Sequence, residues 1–116
     1  MAFLDRRPVF AGHCLLVPRT HHSDLEALPD DLIAPFFANA RLLAQAMEVG
    51  LGAHGAFLGL NNKVSQSVPH VHIHVVPRRR KDGLRGFFWP RHPYESEQVA
   101  HEIAAALHQA VRGLRG

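Results

Sequence analysis

Cysteine is almost missing from this chain. Its one copy, Cys14, rules out an internal disulfide, and without a C-x-x-C pair the usual zinc-thiolate frame has no ligands. Lysine is nearly missing too: only Lys63 and Lys81 occur, so the formal charge of +3 and the pI near 9.8 come from arginine. No apolar run approaches the roughly 20 residues of a membrane helix. Met1-Ala2-Phe3-Leu4 meets Asp5-Arg6-Arg7-Pro8 too soon for a signal peptide. Repeats, linkers and low-complexity tracts are absent. These absences predict one cytoplasmic domain of 116 residues, large enough for a core but small enough to gain from a partner subunit, so a homodimer is expected.

What the chain has in quantity is histidine, and three of its ten copies fall in one stretch. From Gln66 to Arg78, His70, His72 and His74 alternate with Val71, Ile73 and Val75. The stretch reads as a strand, since strand side chains alternate between faces. The apolar side must be buried, so the three imidazoles face a cleft or solvent on the other side. Pro77, lacking an N–H, is expected to end the ladder. One H-x-H pair occurs on many strands without chemistry. Three histidines in register, backed by an unbroken apolar face, point to a site.

The remaining elements follow from period and punctuation. Phe3 to Phe10 suggests a short strand ending in a turn, and His13 to Val17 is its hairpin partner. Leu32, Phe36, Ala40, Leu43 and Met47 recur at helical spacing, predicting an amphipathic helix over Asp31 to Glu48 that Gly50 and Gly52 end. Gly55 to Leu60 is a further strand, and Asn61 to Ser65 turns back into the histidine strand. Val99, Ile103, Leu107 and Val111 predict a C-terminal helix from Ser96 to about Arg112, with Gly113 as its stop. Between them, residues 78–93 form an irregular arm that covers substrate or contacts a second subunit, its tip Phe87-Phe88-Trp89 serving either that role or plain packing. The class is α+β, an antiparallel sheet with two helices, in a single domain 1–116 with its core at 2–80.

The run Gln66-Ser67-Val68-Pro69-His70-Val71-His72-Ile73-His74-Val75-Val76 resembles the signature of the histidine triad (HIT) family of nucleotide hydrolases and transferases. Phe3-Leu4-Asp5, the run Gly12 to His21, and the loop Asn61 to Gln66 stand in that family's order, so the resemblance covers about residues 2–80. It implies that His72 attacks the α-phosphorus of a nucleotide through Nε2, with its Nδ1–H held by the His70 carbonyl. His74 and Ser67 would hold phosphate oxygens, and His70 would assist proton transfer to the leaving group. His21 would take the place of a fourth histidine that sits behind the triad and fixes a ring. Asp5 would grip the ribose hydroxyls beside Phe3 and Arg6 at the base, an adenine or other purine. Asn61, Ser65 and Gln66 would complete the nucleotide site. No cofactor and no metal are implied. Dinucleoside polyphosphates, phosphoramidates and nucleotide esters all place the same α-phosphate on His72.

Three other readings compete. H-x-H is a frequent zinc or iron pair, although three rings along a straight strand can hardly converge on one ion. The basic run Arg78 to Lys81, with the aromatics that follow, could bind single-stranded nucleic acid. A nucleotide-binding regulator with little catalysis would also suit such a fold.

Overall fold

In the computed structural model every residue except 87 and 88 is described, so part of the expected aromatic tip lies outside the described residues. Six elements follow in order: β1 (Ala2–Leu4), β2 (Cys14–Leu16), α1 (Asp30–Leu51), β3 (Gly55–Gly59), β4 (Ile73–Arg78) and α2 (Glu97–Arg115). The four strands form one sheet in the order β1-β2-β4-β3, antiparallel throughout. The class is therefore α+β, as the pattern predicts. The chain divides into two compact units, Met1–Gly83 and Leu84–Gly116.

In the first unit, β1 and β2 pair as expected, with Phe3 opposite Leu15 and Leu4 opposite Cys14. The ladder extends past the strand ends, because Met1 and Val17 exchange two backbone hydrogen bonds of 2.9 Å. Gly12 closes the hairpin at φ 103°, a conformation other residues resist, and a Cβ there would stand 2.5 Å from Leu51 Cδ1.

Helix α1 starts one residue before the expected position, after Pro29 in extended conformation. Its predicted stripe faces inward: Phe36, Ala40 and Met47 are buried, with Leu32 and Leu43 packed against them. Opposite them lie Val71, Ile73 and Val75, at most 2% exposed. Gly50 does not stop the helix. Gly52 does, in left-handed conformation at φ 67°, its N–H reaching the Glu48 carbonyl.

Two features of the histidine strand differ from expectation. The regular ladder begins only at Ile73, because the Val71 N–H donates at 2.7 Å to the carbonyl of His22 in a loop rather than to a strand. Pro77 does not end the strand, which runs through it to Arg78. The Arg78 carbonyl accepts from His54 N on the β3 side, so the position of the missing Pro77 N–H points to the opposite edge. There β2 has already ended, its last partner being Val75 opposite Cys14, so no ladder bond is lost.

In the second unit, Ser96 caps α2 by accepting from Val99 N at 3.1 Å. Gly113 does not stop this helix, which continues to Arg115; an exposed helical glycine costs only about 1 kcal/mol. No described residue of α2 is buried, and Ile103, Leu107 and Val111 along its apolar stripe are all exposed.

Candidate active site

The alternation of burial predicted for the triad holds although half of it precedes the ladder. Val71, Ile73 and Val75 enter the core beneath α1, while His70, His72 and His74 remain half-exposed. His74 lies between Leu15 on β2 and Gly59 on β3. Since Phe3 is opposite Leu15, Phe3, Leu15 and His74 form a row across the same face of three strands. The rings of His72 and His74 meet edge to face with centroids 5.1 Å apart.

Hydrogen bonds to groups of fixed polarity determine which nitrogen of each neutral ring carries the proton. The His72 Nδ1 lies 2.8 Å from the His70 carbonyl oxygen. A carbonyl only accepts, so Nδ1 holds the proton and Nε2 presents a lone pair, as the resemblance requires. His70 donates through Nε2 to the Pro18 carbonyl at 3.2 Å. Its Nδ1 then accepts from Nδ1 of His21, 3.0 Å away, and the two rings stack.

The opposite end of the triad holds a residue that sequence reasoning missed. His13 is 4% exposed, and its Nδ1 accepts from the Val9 N–H at 3.1 Å. Its proton is thus on Nε2, 3.0 Å from Nδ1 of His74. His74 accepts there and keeps its own proton on Nε2. The outcome is a division of labour: His72 offers a lone pair, His74 an N–H donor. Burial depresses the His74 pKa, helped by the neighbouring His72 and His13 and opposed by Asp5. His74 therefore stays neutral to lower pH than a free histidine. A histidine does stand behind the triad, but it is His13; His21 contacts the exposed rim at His70.

The proposed nucleotide-binding residues divide into two groups. Asp5 follows β1 with its N–H on the His13 carbonyl at 2.9 Å. Its Oδ1 accepts from Arg7 N at 2.8 Å, while Oδ2 lies 3.7 Å from His13 Nε2. Phe3 and Arg6 are exposed beside it. In the loop before the triad, the Gln66 amide is occupied within the protein, accepting from Lys63 N and donating to the Ser23 carbonyl. Asn62 joins the same staple, accepting from Leu25 N and donating to Glu26, which also pairs with Lys63. Asn61 is half-exposed, and Ser65 and Ser67 are open to solvent, Ser65 in left-handed conformation at φ 59°. The basic run is partly tied down as well: Arg78 pairs with Asp82, and Arg79 donates to the Leu51 carbonyl.

Among the described residues, one group of three could converge on a metal ion: Asp5, His13 and His74. It fits a metal poorly. A histidine that ligates through Nε2 normally keeps a proton on Nδ1, whereas Nδ1 of His13 is accepting from Val9. His21 and His70 supply two facing nitrogens, without a third ligand in that group. A cavity of about 320 Å³ opens on the other face of the sheet, between Leu16, Val17, Leu32 and Phe36, and contains no histidine.

Comparison with known proteins gives matches across this architecture. The HIT domain model matches residues 1–81. The chain is 31% identical over 114 residues to the adenylylsulfatase HINT3 of Arabidopsis thaliana, covering 92% of this chain and 56% of that protein. It is 36% identical over 84 residues to the adenosine 5′-monophosphoramidase HNT1 of Saccharomyces cerevisiae, covering 72% and 52%. It thus spans about half the length of either relative. A solved structure of a zinc-bound histidine triad family protein from Mycobacterium smegmatis superposes with a TM-score of 0.68 at 36% identity, over 97% of this chain and 80% of that one.

Proposed function

The chain belongs to the HIT family, and from that premise we propose that it is a nucleotide hydrolase or transferase acting at the α-phosphate through a nucleotidyl-histidine. The observation that carries this reading is the His72 Nδ1 contact with the His70 carbonyl at 2.8 Å, which leaves Nε2 as a neutral nucleophile and supports positive charge on the ring as the bond forms. In the first step Nε2 bonds to phosphorus and the phosphorus–leaving-group bond breaks. The leaving group takes the Nε2 proton of His70, which gives up its bond to the Pro18 carbonyl, while Nδ1 of His70 takes the proton that His21 shares with it and His21 recovers one from solvent. Water then cleaves the nitrogen–phosphorus bond. His74 Nε2–H and the Ser67 hydroxyl hold the phosphate oxygens as negative charge shifts between them. Asp5 binds the ribose hydroxyls, with Phe3 and Arg6 at a purine base and Asn61 and Ser65 beside the sugar and phosphate. Gln66 contributes by fixing the loop, given where its amide is engaged.

Nucleoside 5′-monophosphates linked to a leaving group through phosphorus are the substrate class, and hydrolysis is favoured over transfer. The test is turnover of a panel of adenylyl phosphoramidates, adenylyl sulfate and dinucleoside polyphosphates, with acid-free trapping of a nucleotidyl adduct. An adduct on His72 and activity that survives exhaustive chelation are the expected results. Activity lost on chelation and restored by zinc or iron would instead establish the metal reading.

The working form is proposed to be a cytoplasmic homodimer. No described helix is long and apolar enough to cross a membrane, and the exposed stripe of α2 offers apolar surface to a partner. Light scattering at micromolar concentration checks the assembly, and a strict monomer overturns it.

A further inference from the structure

Asp5 and His74 both face the same proton. His13 has one N–H, on Nε2, because Val9 N–H occupies the lone pair of Nδ1. That proton lies on a nitrogen 3.0 Å from His74 Nδ1 and 3.7 Å from Asp5 Oδ2. Only the shorter contact is a hydrogen bond, but the more distant acceptor is a carboxylate, and charged acceptors bind a donor about twice as strongly as neutral ones. Both acceptors face the same nitrogen of His13, so the choice between them needs no change of the His13 tautomer. Asp5 Oδ1 is held by Arg7 N. The oxygen left for a ligand is therefore Oδ2, the one that competes with His74.

We infer that ribose binding at Asp5 commits the His13 proton to His74, so that the sugar fixes the phosphate donor in its working tautomer. This rests on the proposed nucleotide reading of the site and extends it from recognition to rate. With Asp5 Oδ2 free, the His13 N–H bonds His74 but the carboxylate 3.7 Å away competes for it, so part of the population leaves Nδ1 of His74 without its donor and free to take the proton on either nitrogen. When ribose hydroxyls donate to Oδ2, that competition weakens. The His13 N–H stays with His74, and Nε2–H of His74 faces the phosphate. His13 is thus a positioning residue, and the ribose is read in kcat as well as in KM. A ribonucleotide is selected over its deoxy counterpart through one proton, that of His13 Nε2, for which Asp5 and His74 compete and whose commitment to His74 orients the donor at the reacting phosphate.

The experiment compares a turned-over substrate with its 2′,3′-dideoxy analogue, in the wild-type protein and in Asp5→Asn. The wild type should lose roughly tenfold in kcat on the dideoxy substrate, the scale of one hydrogen bond to a charged group. The amide introduced by Asp5→Asn would keep the bond to Arg7 N through its oxygen but present an N–H toward His13, so it cannot accept the proton. Asp5→Asn should then show equal kcat on both substrates, with a raised KM for the ribonucleotide. Imidazole ¹⁵N spectra of the wild-type protein give a second readout that needs no variant. AMP should drive His74 wholly to the Nε2–H tautomer, while 2′,3′-dideoxy-AMP should not. Equal kcat values in the wild type, a kcat ratio that persists in Asp5→Asn, or identical tautomers with the two ligands would each overturn the inference and leave the nucleotide reading standing. Failure to bind any nucleotide would overturn both.

Discussion

The two ends of the triad are held by different physics. His74 lies within the β4 ladder between two strands, with a buried histidine behind it whose own tautomer is set by a backbone N–H. His70 lies before the ladder, in a loop, against the exposed ring of His21 and the carbonyl of Pro18. One end is fixed by the sheet and the core, the other by side chains at the rim. The tautomer of His72, between them, depends on neither set of imidazoles, because its proton goes to the backbone. The rigid end suits a group that must hold a phosphate oxygen through the whole reaction. The loop-held end suits the side where a leaving group departs and water enters.

Removing the centre tests whether the two ends only hold the substrate. His72→Ala should lower turnover by at least about a thousandfold, while AMP affinity stays largely intact because Ser67 and His74 remain. A variant that keeps most of its activity would remove His72 as the nucleophile.

The ends themselves separate in stability. His13→Ala leaves the Val9 N–H without its acceptor and opens a hole where a ring was 4% exposed, so it should cost about 2–4 kcal/mol in urea denaturation. His21→Ala removes an exposed ring and should stay within about 0.5 kcal/mol. Equal losses from the two variants would erase the contrast between a core-held and a rim-held end.

Asp5 belongs to the rigid end by its backbone, and its Oδ2 is the oxygen proposed to meet the ribose. Asp5→Asn should weaken AMP by about 1.5–3 kcal/mol, and 2′,3′-dideoxy-AMP by much less. Equal losses in calorimetry would make the carboxylate a purely structural partner of Arg7 N.

How much of this could be read from the sequence follows the same division. The triad, its apolar backing and the inward stripe of α1 were legible because period-2 and period-3.6 patterns survive without knowledge of partners. His13 was not. Its place in the strand before Leu15 puts it on the triad face, but that matters only once Leu15 is known to pair with His74. Register between strands so far apart in the chain has no local signature. Pro77 and Gly113 misled for a related reason. Proline ends a strand only where its N–H would have had a partner, and glycine ends a helix only where the chain turns into left-handed conformation, as it does at Gly52 and not at Gly113. The staple of Asn62 and Gln66 onto residues 23–26 was equally hidden, since it depends on two loops meeting in space.

The smallest expected effect is a pH dependence confined to the rigid end. Burial, with His72 and His13 beside it, lowers the folded-state pKa of His74 below the ordinary histidine value. Between that folded value and the unfolded one, the unfolded chain binds more protons than the native protein, so stability rises with pH across the window. The contribution is fully present above the unfolded pKa and is lost as pH falls toward the folded pKa. Protonating Nδ1 of His74 also sets a donor against the His13 Nε2–H, so acid should loosen the core-held end first. His74→Asn removes the titrating group. Thermal denaturation from about pH 7.5 to 5, a range that spans the unfolded histidine pKa, should therefore show a shallower decline for His74→Asn than for the wild type, the difference isolating this one ring from the other histidines. Parallel declines would show that His74 titrates alike in both states, and that the rigid end is no less hydrated than the rim.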